Sequence, residues 1–168
     1  MINDHLHLSK QAGELLKGIE ALRLKPYDDQ TGKPCKQWCA GATIGYGHLI
    51  LAKDWCFFAD GICKEEANLL FLRDAEPIET LIKQQVFAPL TQAQFDALML
   101  LVFNIGGKNF KQSSVLRLVN DPAAVTAYVS LDSAWLAWNK SQGRVSNGLK
   151  NRRRCELAIF RHGIYERW

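Results

Sequence analysis

The sequence predicts an α+β fold, with a small β-containing lobe beside a larger, mainly helical lobe and a cleft between them. Three observations carry that expectation. A stretch rich in Gly, Pro, Asp and Thr, from Tyr27 to Tyr46, follows a single helical segment near the N-terminus and suits turns and short strands. From Lys64 onward, apolar residues recur at helical spacing. No internal repeat, low-complexity tract or flexible linker interrupts the chain. Residues 1–168 therefore read as one domain, with the small lobe at about 20–63 and the helical lobe at about 64–168 plus the N-terminal helix.

Leu8 to Ala21 opens the chain as a helix, with Leu15, Leu16 and Ile19 on one side. Lys25-Pro26 argues against its continuation, because proline disfavours helix at the residue before it. Lys64 to Gln85 places Phe71, Ala75, Ile78 and Ile82 in one apolar stripe, and Pro77 inside it predicts a kink. Thr91 with Gln94 three residues later forms a capping box for the next helix. Its body, Phe95 to Ile105, is apolar on nearly every face and belongs at the centre of the larger lobe, ending at Gly106-Gly107. Shorter helices are expected at Ser114–Val119, Pro122–Leu131 and Ser133–Lys140. The last runs from about Leu149 to His162 and is closed by Gly163.

Composition narrows the function classes. With 48% hydrophobic and 23% charged residues, this is an ordinary globular sequence. No apolar stretch approaches the ~20 residues a bilayer requires, so stable membrane insertion is not expected. The N-terminus lacks the basic start and apolar run of a secretory signal. Five cysteines leave at least one unpaired; Cys35, Cys39, Cys56 and Cys63 cluster near His48, but without the CxxC spacing of a zinc knuckle. Disulfides in an exported protein and plain buried thiols both fit them, and Cys155 reads as core. The net charge of +4 is concentrated at the end, with eight Lys or Arg against two Glu from Lys140 to Trp168. Such a surface suits polyanions, including the bacterial wall. No nucleic-acid motif or interleaved aromatics accompany Arg152, Arg153, Arg154 and Arg161, so no nucleic-acid partner is expected.

The chemistry concentrates in Gly18-Ile-Glu-Ala-Leu-Arg-Leu-Lys-Pro-Tyr-Asp-Asp29 and Ala42-Thr-Ile-Gly-Tyr-Gly-His-Leu49. Glu20 ends an otherwise apolar helical stretch, where partial desolvation raises a carboxyl's pKa as a general acid requires. Asp29 lies in a polar loop and stays ionised. Two carboxylates in contrasting environments are what glycosidic bond cleavage uses.

These two segments resemble the catalytic signature of phage-type lysozymes, the endolysins of glycoside hydrolase family 24. Pro89-Leu-Thr-Gln-Ala-Gln-Phe-Asp-Ala-Leu98, Phe103-Asn-Ile-Gly-Gly107 and Asn151-Arg-Arg-Arg-Cys-Glu-Leu-Ala-Ile-Phe160 extend the resemblance in the family's order, roughly from Glu14 to Phe160. It implies a two-lobed lysozyme-like fold and a muramidase that cleaves the β-1,4 bond between N-acetylmuramic acid and N-acetylglucosamine. Glu20 becomes the general acid, Asp29 the second carboxylate, and Thr43 helps to position the attacking water. Arg152 on the last helix maps to the family's partner of the acid. A cation there lowers the carboxyl pKa, so burial must outweigh the pairing or the pair must loosen on substrate binding. His48 maps to a structural histidine paired with an aspartate, here Asp74, against the alternative of a functional histidine in the cleft. Leu49, Phe103 and Ser114 match positions lining the saccharide groove, although Phe103 also suits the core.

The family is expected to need no cofactor or metal and to invert the anomeric centre. Two departures stand out. The segment from Gln30 to Ala42, with Lys33-Pro-Cys-Lys-Gln-Trp-Cys39, is longer than in compact members; it is a flap over the cleft or a surface elaboration. Asp28 adjoins Asp29, leaving a one-residue ambiguity that the motif resolves toward Asp29. Other readings of the scaffold are a non-catalytic peptidoglycan-binding module and a lytic transglycosylase. The resemblance further implies a monomer made in the cytoplasm that acts on the wall in the periplasm. It would be delivered by a holin or by fusion to a delivery protein, and as an effector it would have an immunity partner.

Overall fold

The computed structural model describes residues 1–167. In chain order the elements are α1 (Lys10–Glu20), β1 (Arg23–Asp28), β2 (Ala42–Gly45), β3 (His48–Leu49), α2 (Trp55–Phe58), α3 (Lys64–Gln85) and α4 (Gln92–Ile105). There follow α5 (Gly107–Gln112), α6 (Ser114–Asn120), α7 (Leu131–Leu136), β4 (Lys140–Ser141), β5 (Arg144–Val145) and α8 (Asn147–His162). The mixed α+β class expected from the sequence is the one observed. Two compact units form, one of Met1–Leu15 with the chain from Pro77 onward, the other Leu16–Glu76. Among the described residues no helix is long and apolar enough to cross a membrane.

The unit Leu16–Glu76 is built on a three-stranded antiparallel sheet in the order β1-β2-β3. Strand alternation sends Ala42 and Ile44 to one face, where they join Ile50 and Leu70 in a small core. Cys35, Cys39, Trp55, Phe58 and Ile62 pack against it. The long segment after Asp29 therefore docks on its own sheet. Asp28 N–H donates to the Lys33 carbonyl (2.9 Å), Cys35 N–H to the Pro26 carbonyl (3.0 Å), and the Trp38 indole to the Ile50 carbonyl (2.9 Å). All five cysteines are free thiols, with the Cys35 and Cys39 sulfurs 3.3 Å apart. Burial and the neighbouring thiol push Cys35 up to about 11.

The other unit centres on α4, whose residues Phe95 to Val102 are all buried. Thr91 and Gln94 close the capping box at its start. Against it lies α8, capped by the Ser146 side chain and closed by Gly163 in the left-handed conformation. Glu156 of α8 is fully buried and gathers three donors. Arg152 Nε (3.3 Å) and Arg153 Nη2 (2.9 Å) reach Oε1, and the Trp135 indole reaches Oε2 (2.8 Å). Arg152 Nη2 also donates to the Leu100 carbonyl (3.2 Å) and Arg153 Nη2 to Asn104 Oδ1 (2.8 Å). Burial pushes the Glu156 carboxyl up, while the two guanidiniums and the indole pull the other way.

Several helix expectations need correction. Residues 122–130 are turns, bends and irregular backbone, not a helix. The Asp121 carboxylate accepts from Ala123 N–H, and Thr126 Oγ1 accepts from Tyr128 N–H while donating to the Tyr128 carbonyl. These local bonds compete with a helical ladder. Val125 and Val129 are also almost wholly exposed, so no apolar face pulls the segment into a helix. The helix placed at Ser133–Lys140 starts instead at Leu131, because Ser130 and Ser133 make a capping box, and it ends at Leu136. Lys140 enters a β4–β5 hairpin whose turn, Gln142-Gly143, has positive φ at both residues (49° and 75°), the geometry of a two-residue hairpin. Gly106 ends α4, but Gly107 begins α5, held by the buried Phe110.

Candidate active site

Register within the small sheet sorts the residues of interest by face. Thr43 lies opposite Tyr27 on β1 and opposite Leu49 on β3. Residues directly paired across an antiparallel ladder project to the same side. Asp29 follows β1 and stays joined to the ladder, its N–H donating to the Gly41 carbonyl (3.1 Å). Two residues beyond Tyr27, it projects to that same side. Tyr27, Asp29, Thr43 and Leu49 thus share the face opposite the Ala42–Ile44 core.

Asp28 is paired with Ala42 and faces the other way. Its carboxylate is occupied locally, accepting from Gln30 N–H (2.9 Å) and Thr31 Oγ1 (2.8 Å), and these bonds hold its pKa below the usual range. Asp29 is exposed and, among the described residues, accepts no hydrogen bond and forms no ion pair. Thr43 is buried and donates its hydroxyl proton to the Gly41 carbonyl (2.9 Å). Its oxygen therefore retains lone pairs that can accept from a ligand or water. Leu49 is 55% exposed.

Glu20 is the last residue of α1 and is half-buried. A Cβ built on Gly47, in the turn between β2 and β3, would sit 3.8 Å from Glu20 Oε2, so the carboxylate lies against that turn. The helix stops immediately after it, with Ala21 in the left-handed region at φ 57° and its N–H donating to the Lys17 carbonyl (3.2 Å). A side chain at that φ stores strain of about 1 kcal/mol that glycine avoids. Ala21 is exposed, so nothing is lost by removing its methyl. Ala21→Gly is expected to raise stability by about 1 kcal/mol and the melting temperature by about 3 °C. Thermal unfolding checks this; a lower melting temperature would mean that the freedom gained by the unfolded chain dominates.

His48 pairs with Ile44 on β3 and so faces the core side. Its Nδ1 lies 3.0 Å from both carboxylate oxygens of Asp74 on α3, and its ring packs on Phe58 (5.5 Å between centroids, tilted). Phe103 and Ser114 belong to the other unit, Phe103 near the end of α4 and Ser114 as the first residue of α6; both are half-buried. Arg152 is buried in the network with Glu156. Among the described residues no group of three or more His, Cys, Asp or Glu could hold a metal.

Tyr27 stands inside the motif, and nothing in its residue type assigns it a task there. Its spacing, two residues before Asp29, was the available signal. The ring is half-buried, with the Arg23 guanidinium 4.9 Å from its centroid. Burial pushes its phenol pKa up; Asp29 and, less strongly, Glu20 add to that, while Arg23 opposes it.

Comparison with known proteins adds three findings. Residues 17–156 match the family model described as phage lysozyme. Among curated relatives, the endolysin of Salmonella phage P22 is 36% identical over 157 residues, covering 92% of this chain and 98% of its own. The endolysin of Acyrthosiphon pisum secondary endosymbiont phage 1 is 33% identical over 159 residues with the same coverage. Among solved structures, the endolysin from Escherichia coli O157:H7 phage FAHEc1 superposes with a TM-score of 0.73 at 29% identity, covering 97% of this chain and 98% of that one.

Proposed function

The chain belongs to the phage lysozyme family, and from that premise we propose how its residues divide the work of the reaction. It is a glycoside hydrolase that degrades peptidoglycan, a muramidase of lysozyme fold. The bond cut is the β-1,4 link between N-acetylmuramic acid and N-acetylglucosamine. Glu20 donates the proton to the departing sugar oxygen. Asp29 and Thr43 hold the attacking water, Asp29 accepting one of its protons and Thr43 the other. Leu49, Phe103 and Ser114 contact the glycan, Arg152 gives structural support by bracing α8 through Glu156 and the Leu100 carbonyl, and the His48–Asp74 pair fixes the end of β3. The chain folds as a single lysozyme domain and works as a monomer on the wall in the periplasm.

One observation carries this division: the sheet register that puts Thr43 and Leu49 on a single face, with Asp29 N–H tied to the same ladder at Gly41. A water between Asp29 and Thr43 has both protons accepted, which leaves an oxygen lone pair for the anomeric carbon. The idle Asp29 carboxylate and the Thr43 lone pairs support the assignment, and the local bonds that occupy Asp28 speak against that neighbour.

Attack by this water from the face opposite the leaving group inverts the anomeric configuration. Digestion of sacculi is expected to release muropeptides with reducing N-acetylmuramic acid ends, the α-anomer appearing first in a time-resolved proton NMR spectrum. A β-anomer formed first would overturn the water-holding role of Asp29 and Thr43 in favour of a covalent intermediate. Anhydro ends would make the protein a lytic transglycosylase, and binding without release would make it a wall-binding module.

A further inference from the structure

Tyr27 sits at the middle of the proposed water-holding face. Its partner across the ladder is Thr43, and Asp29, tied to the same ladder through its N–H, lies two residues on. The residue is held at its ring and at its backbone. Arg23 stacks on it at 4.9 Å, and Pro34 of the long segment bridges its backbone on the outer edge. Although the side chain is half-buried, its hydroxyl makes no hydrogen bond to any described residue. The groups that act on the phenol are Asp29, Arg23 and Glu20, and the upward shift keeps it protonated through the neutral range. A donor with no partner among the described residues thus lies in the field of both carboxylates.

We propose that Tyr27 is a positioning residue for the hydrolytic water. When glycan is bound, its hydroxyl donates to the Asp29 carboxylate, directly or through one water, and aims that carboxylate at the face it shares with Thr43. The inference rests on the reading of Asp29 and Thr43 as the pair that holds the water. A carboxylate held only by its own side-chain torsion presents its lone pairs in many directions; one donor selects among them. The same donation favours the ionised form, which a proton acceptor needs.

The test compares the native chain, Tyr27→Phe, Asp29→Asn and the double variant on soluble peptidoglycan fragments, with excess enzyme for the slow variants. Phenylalanine keeps the ring and its stacking on Arg23, and thermal unfolding of each variant verifies the fold. Tyr27→Phe is expected to lose about tenfold in kcat with KM little changed, the size of one hydrogen bond to a charged group. Losing a donor to a carboxylate raises that carboxylate's pKa, so the acid limb of the kcat/KM profile is expected to move to higher pH. The limb position does not depend on how much of the variant is folded. In the Asp29→Asn background, removing the hydroxyl is expected to cost nothing further. An unmoved limb, or the same fractional loss in both backgrounds, overturns the proposal, because the hydroxyl would then act by packing or on the glycan directly. Full activity of Tyr27→Phe beside an inactive Asp29→Asn overturns this inference alone. Full activity of Asp29→Asn removes the underlying reading and this inference with it.

Discussion

Glu20→Gln is expected to lower the rate of sacculus hydrolysis by about a thousandfold while leaving the fold intact, because a sugar alkoxide leaves slowly unless a proton arrives as the bond breaks. The amide matches the carboxyl in shape and has no proton to give. Glu20 also occupies the last position of α1, at the negative end of the helix dipole, with its carboxylate against the β2–β3 turn. A negative charge there costs about 0.3–1 kcal/mol. The glutamine variant, which keeps the side chain's shape and sheds this charge, is expected to stay folded at the assay temperature. Lysis assays and thermal unfolding on the same preparation separate the two effects. Hydrolysis within tenfold of the native rate would exclude Glu20 as the acid.

Glu156→Gln is expected to destabilise the unit containing α4 and α8 by about 3–5 kcal/mol, through a route unrelated to chemistry. Arg152 and Arg153 are 5% and 0% exposed, and their shared counter-ion is fully buried. Dehydrating three ions costs nearly what their attraction returns, which is why burial dominates the upward shift of the Glu156 carboxyl. The assembled network adds little net stability. Removing the Glu156 carboxylate is costly, since two guanidiniums and the Trp135 indole keep their burial and lose an acceptor they share. Urea unfolding should show a lower midpoint with an unchanged slope, and the melting temperature should fall by about 10 °C. A loss below about 1 kcal/mol would show that Glu156 does not act as an ion in the folded chain.

Much of the fold was legible because local rules and tertiary packing agree. α3 spans the residues that its apolar stripe marks, and α4 starts at the capping box that Thr91 and Gln94 encode. Disagreement arises where the decisive interactions are not in the helical pattern. At 122–130 the apolar residues are present, but Asp121 and Thr126 bind nearby backbone and the valines face solvent. The hairpin at Lys140–Val145 turns on the positive φ of Gln142, which the residue type does not announce.

By itself, the sequence determined the α+β class and the family and supplied the candidate site positions, because apolar periodicity, caps and an ordered set of motifs are properties of the chain alone. The tertiary structure alone decided which groups keep company. The motif prefers Asp29 to its neighbour without saying why, and strand pairing separates them: Asp28 lies opposite Ala42 with its carboxylate held in a local turn, while Asp29 N–H joins the ladder at Gly41. The same pleat turns Leu49 toward Thr43 and His48 toward Asp74, and it brings Tyr27 into that company. The physical reason is that a side chain's direction in a sheet depends on register, and hydrogen bonds between strands far apart in sequence set it.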